Sequence, residues 1–192
     1  MKPVERSEIL RLGEYEEVRG PFRARVMAEK KVRRVPFGPL ATATFENHDT
    51  VLLQIQEMIR TERITREAAI LHEIETYNHL VPRNNELSAT VMIEIDDREP
   101  REAFLTEASD LQKNIALLVD GERAPAVWDE RLVLPGRLSA VLYLRFPLSS
   151  QAAERLRTGR ATVELVAEHR VYAARVELPP ATVKSVAEDL GT

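Results

Sequence analysis

Carboxylates, amides and guanidinium groups crowd one stretch of the chain, from Phe45 to Arg63. Gln54, Gln56, Glu57, Arg60, Glu62 and Arg63 stand on a helical segment, with Glu46, His48 and Asp49 just upstream. Groups at that density can organise a binding site, hold a hard cation through oxygen atoms, or form a charged interface. Val51, Leu52, Ile55, Met58 and Ile59 make the single apolar stripe of this helix. The same pattern suits a solvated face laced with ion pairs three or four residues apart, each contributing a few tenths of a kcal/mol.

Other groups carry less chemistry. His72, Glu75 and His79 share one helical face, opposite Ile70, Ile74, Tyr77 and Val81, so these histidines point away from the core and no metal ligand is assigned. Between Arg19 and Arg34 seven basic residues meet one acid, Glu29, but no aromatic residue alternates with them as a stacking platform requires. Glu14, Glu16 and Glu17 precede that run and partly neutralise it. His169 falls at a turn between two strands, as an exposed side chain. Gly136 to Ala140 lacks the second glycine of a nucleophile elbow, with Ser139 inside a strand. The seven glycines are scattered singly, so there is no phosphate loop.

Helices must position the first group. The spacing predicts a short helix from Arg6 to Arg11 ended by Gly13, and a second beginning at Pro21 and running from Phe22 to Arg34. A short strand follows at Ala41 to Phe45. Asp49 is the expected N-cap of a helix from Thr50 to Arg63, and Thr65 that of a helix from Arg66 to His79. From Leu87 the period changes to two, and Leu87 to Ile95 reads as a half-buried strand. A helix from Arg101 to Leu111 comes next. Ile115 to Val119 and Ala124 to Trp128 flank a hairpin turn at Asp120-Gly121. Leu138 to Phe146 is a strand, Ser149 or Ser150 caps a helix to Arg157, and Thr162 to Glu168 pairs with Val171 to Leu178. A closing helix carries Val183, Val186, Ala187 and Leu190, with Gly191 as its stop.

Helices first and strands later predict an α+β domain over residues 1–192, helical to about residue 85, with N-terminal helices on a mostly antiparallel sheet. Composition agrees: 44% apolar and 30% charged residues in 192 are enough for a core. Without cysteine, disulfide and thiolate chemistry are excluded. Met1 to Glu8 has no apolar run and no stretch reaches about 18 apolar residues, which predicts a cytoplasmic protein without a membrane span. The net charge of −4 is spread evenly, so general attraction to nucleic acid or anionic lipid is not expected.

Glu14-Tyr15 with Arg19 and Phe22-Arg23, Phe45-Glu46-Asn47 with Asp49-Thr50, and Gln54 to Met58 with Arg60 and Glu62 resemble one bacterial family. Tyr77-Asn78 with Leu80 and Pro82, Leu87-Ala89-Thr90 and Leu144 to Phe146 extend the likeness over nearly the whole chain. The family is the domain of unknown function 3501. The resemblance supplies no catalytic residue or cofactor. It implies, through gene neighbourhood, a link to rubrerythrin-like proteins and an iron–sulfur oxidoreductase. The expected function is a non-catalytic accessory or binding protein for an iron-containing redox partner. Its surface would comprise Arg23, Glu46, Asp49, Gln54, Gln56, Glu57, Arg60, Glu62, Tyr77 and Asn78. The alternatives are a carboxylate-based metal protein or enzyme around Glu57, and a weak nucleic-acid binder through the basic helix.

Overall fold

Gly13 and Pro21 interrupt nothing: Leu12–Arg33 forms one helix, α1, that passes through both. Pro21 has no amide hydrogen, so the Glu17 carbonyl loses its partner, a fault that costs about 3 kcal/mol in a helix interior. Glu17 is exposed, and water can take that carbonyl. Ion pairs on both sides of the proline, Arg19 to Glu57 and Arg25 to Asp49, tie the two halves to one neighbouring helix. Local sequence pattern does not contain that restraint. Upstream, the helix expected from Arg6 to Arg11 shrinks to a 3₁₀ turn, Arg6–Glu8. The structure, a computed structural model, describes residues 1–190.

β1 (Arg34–Pro36) turns back at Gly38 into β2 (Ala41–Glu46). Gly38 has φ +69°, and a Cβ there would lie 2.7 Å from the Tyr172 hydroxyl, so this turn requires glycine. α2 (His48–Thr61) is capped by Asn47, whose side chain accepts from the Thr50 amide at 3.0 Å. Asp49 sits in the first turn instead of capping it. α3 (Glu67–Asn78) starts after Arg66, which makes no side-chain cap, and not at Thr65. β3 (Glu86–Ile93), α4 (Arg98–Glu107), β4 (Ile115–Val119), β5 (Glu122–Pro125), β6 (Val141–Pro147), α5 (Ser150–Arg157), β7 (Val163–His169), β8 (Tyr172–Glu177) and α6 (Pro180–Asp189) complete the order. The turn at Asp120-Gly121 and the cap at Ser149 are as expected. Ser139 lies outside β6, and Gly191 lies outside the described residues.

The α+β class and the antiparallel pairing hold, but the strands divide between two four-stranded sheets, β1-β2-β3-β6 and β5-β4-β7-β8. Phe45, Leu87, Val91, Leu144 and Phe146 from the first sheet and Ile115, Leu117, Val163 and Leu165 from the second enter one buried cluster. α5 and α6 add Leu156, Val183 and Val186. A smaller cluster joins Val4 and Ile9 of the N-terminal segment to Val51, Ile55 and Ile59 of α2 and Ile70 and Ile74 of α3. Each such side chain contributes about 1.5–3 kcal/mol on burial. β3 departs from a half-buried strand, because Glu86 and Ser88 on its second face are buried too, whereas Met92 is open. That second face, with α1 packed against β2 beside it, is where the polar side chains converge.

Candidate functional site

Most of the polar face of α2 is spent inside the molecule. Arg19 forms two bonds to Glu57, at 2.8 and 2.9 Å, and the Tyr15 hydroxyl donates to the same carboxylate at 2.6 Å. The guanidinium beside it holds Glu57 below the usual carboxylate range, and burial pushes the Tyr15 hydroxyl up. Arg60 bonds Glu16 at 2.6 Å. Arg25 and His48 both reach Asp49, and with His48 as the larger cause they lower its pKa to about 2. The arginine–carboxylate pairs of this helix therefore run to α1, 24 to 44 residues away, and not to positions three or four along it.

Two amides serve as brackets. Gln56 accepts from the Leu10 amide and donates to the Leu10 carbonyl, both at 3.0 Å. Asn78 does the same for Val4, at 2.8 and 2.9 Å. The N-terminal segment is thereby clipped across α2 and α3. These residues are polar in the sequence for reasons of architecture, and neither faces a cavity with the others.

Three of the remaining candidates meet. Glu46, Gln54 and Tyr77 line a cavity of about 240 Å³ together with Lys30, Thr44, Thr90 and Tyr143. Thr44, Thr90 and Tyr143 stand opposite one another across β2, β3 and β6, so alternation sets them in one hydroxyl row on the face away from the larger core. Glu46 lies one step further along β2, only 6% exposed, and accepts from the Thr90 hydroxyl at 2.7 Å. Lys30 comes from the last turns of α1, and its ammonium stops 3.8 Å from Glu46 Oε2. Val51, Leu80, Met92 and Val141 supply the apolar wall. Gln54 and Met92 are exposed and mark the opening. Burial pushes the Tyr143 hydroxyl up from its ordinary value, with Tyr77 and Glu46 adding, so it stays a protonated donor.

Thr44 and Tyr143 were not singled out from the sequence, Lys30 stood there only as one of the bases of the basic helix, and Thr90 only as part of the family likeness. Two signals were there: hydroxyl residues at alternate positions of a strand, and a tyrosine set between Leu142 and Leu144. Arg23 and Glu62, by contrast, lie outside the cavity and are exposed.

The histidines depart from expectation. His79 does not point away from the molecule: it packs edge-on against Tyr143, ring centroids 6.0 Å apart, and burial lowers its pKa. His72 and Glu75 are exposed. His169 is 8% exposed, with Nε2 3.0 Å from Asp110 Oδ1, a partner 59 residues away that strand periodicity does not disclose. Among the described residues no three carboxylate or histidine side chains group as a metal site, and no helix is long and apolar enough to cross a membrane. The basic helix is largely paired: Arg19, Arg25, Lys30, Arg33 and Arg34 each face a carboxylate.

A crystal structure of a novel protein of unknown function from Burkholderia pseudomallei K96243 is similar over 98% of this chain and 100% of its own. The two share 33% identity, with a TM-score of 0.92. No curated protein matches the sequence. The family model described as Protein of unknown function (DUF3501) matches residues 3–190, and the chain belongs to that family.

Proposed function

We propose that this protein is a non-catalytic binding protein that takes a small zwitterion, an ammonium and a carboxylate on one short skeleton, in the Lys30–Glu46 cavity. One observation carries the reading. Glu46 is buried, yet among the described residues its nearest cation stands at 3.8 Å, beyond hydrogen-bond length. A buried charge costs several kcal/mol unless paired and hydrogen-bonded, and Thr90 supplies one bond only. A ligand ammonium completes the coordination of Glu46, and its carboxylate meets Lys30 and the hydroxyl row. Charge-assisted hydrogen bonds of this kind are about twice as strong as neutral ones. The space is smaller than the roughly 300–1,000 Å³ that takes drug-sized molecules, which suits a short aliphatic body against Val51, Leu80 and Val141.

The test is mass spectrometry of small molecules released by denaturing the purified protein. Wild type should carry a zwitterion that Lys30→Met and Glu46→Gln lack. Identical extracts from all three proteins would count against the reading.

An accessory role beside a rubrerythrin-like or iron–sulfur redox partner is supported by the family resemblance. Arg23 and Glu62 are exposed and, among the described residues, make no ion pair, so their charges are open to a partner. A native pull-down without oxygen that recovers no iron protein would remove this part. The reading of Glu57 as a metal ligand or base has less support, because Arg19 and Tyr15 already occupy both of its oxygens.

A further inference from the structure

We propose a second site, which shares Val141 and Tyr143 of its wall with the first, that binds a small uncharged carboxamide between the edge of β6 and the segment from Trp128 to Ser139. Three buried polar atoms around one cavity have no hydrogen-bond partner among the described residues: Gln112 Oε1, Trp128 Nε1 and Arg137 Nε. Gln112 as a whole is only 6% exposed. A buried polar group left unpaired costs about 1–3 kcal/mol, so three in one place mark a recognition surface in need of an occupant.

The surface is held in place. Val127, next to Trp128, exchanges both backbone bonds with Arg145 at 2.8 Å. Arg137 is anchored by Glu102 at 2.9 Å and, through the following residue, by the Leu138 amide on the Leu105 carbonyl at 2.7 Å.

The chemistry of the occupant follows from the inventory. Two N–H groups require an acceptor oxygen, and Gln112 Oε1 requires a donor. Charge is already balanced, since Glu102 neutralises Arg137 and Asp129 is taken by Arg131. A carboxylate would have no spare cation and would meet Asp129. One carboxamide satisfies all three atoms: its carbonyl accepts from Trp128 and Arg137, and its N–H donates to Gln112. The space, about 40 Å³, admits the polar head. Leu132 and Leu134, each nearly half exposed, lie at the rim, where the apolar body of the ligand would cover them.

Trp128 is the only tryptophan, so the single indole N–H signal in a ¹H–¹⁵N spectrum reports on the site. Benzamide should shift that signal saturably. N,N-dimethylbenzamide, which lacks the donor for Gln112, should bind about tenfold more weakly, and benzoate should leave the signal in place. Gln112→Leu should reduce benzamide affinity by a similar factor. Because the dimethyl comparison uses wild type, the test stands even if that variant fails to fold. An indole signal unmoved by benzamide, or moved equally by benzoate or the dimethyl analogue, would overturn the proposal and leave the three atoms to ordered water.

Discussion

The Lys30 ammonium stops 3.8 Å from Glu46 Oε2, while Thr90 holds the other oxygen of that carboxylate at 2.7 Å. Half of a buried carboxylate is therefore fixed and half is aimed into the cavity. Lys30 contributes from the end of a long helix, and Glu46 from the strand beneath it. The arrangement is the physical basis of the proposed binding function, and it separates the polar residues that recognise from those that merely hold the fold.

Glu57 belongs to the second class. Glu57→Gln should destabilise the fold by about 1.5–3 kcal/mol, because it removes a charged acceptor from Arg19 and Tyr15. Urea unfolding measures this. Ligand binding in the Lys30–Glu46 cavity should be unchanged, whereas a catalytic or metal-binding Glu57 would lose function with little loss of stability.

Gln56 anchors the N-terminal segment through both backbone groups of Leu10. Gln56→Leu should cost about 1–2 kcal/mol and expose residues 1–11 locally before global unfolding. Hydrogen exchange of the Leu10 amide, compared with that of the α2 interior, reads this directly. Equal protection in wild type and variant would show that the bracket contributes nothing.

The Glu8–His48–Asp49 cluster gives stability a pH dependence. His48 is raised above its ordinary 6.5, first by its hydrogen bond to Asp49 and then by Glu8. A raised value favours the protonated form in the folded state, so the contribution is complete below about 6.5 and lost as pH climbs through the folded value. Asp49, lowered to about 2 from 3.8, contributes above its ordinary value and loses that as pH falls toward 2. His79, lowered by burial, acts in the opposite sense to His48. The Tm of wild type minus that of His48→Gln should therefore decline between pH 6 and pH 8, roughly the span of a histidine titration. A flat difference would contradict the placement of His48.

Legibility in the sequence followed distance along the chain. The period-two run from Leu87 disclosed β3, and Asp120-Gly121 disclosed its hairpin, because both are local patterns. The crowding of polar groups near Gln54 pointed to the region of the proposed site, and Glu46, Gln54 and Tyr77 do share a cavity. Lys30, Thr90 and Tyr143 arrive from elements that only sheet pairing and helix docking bring together. Gln56 and Asn78 looked like recognition residues, because a side chain bonded to backbone 46 or 74 residues away leaves no trace in sequence. Pro21 misled for the same reason: the pairs that hold α1 together across it end on α2.

Calorimetric titration of the intact protein with a panel of short α-amino acids tests the central claim most directly, with acetate and methylamine as half-ligands. At least one amino acid should bind wild type, Lys30→Met and Glu46→Gln should each weaken it by about tenfold or more, and neither half-ligand should bind. Heat from no member of the panel, or equal binding by acetate or methylamine, would contradict the assignment of the Lys30–Glu46 cavity to a zwitterion.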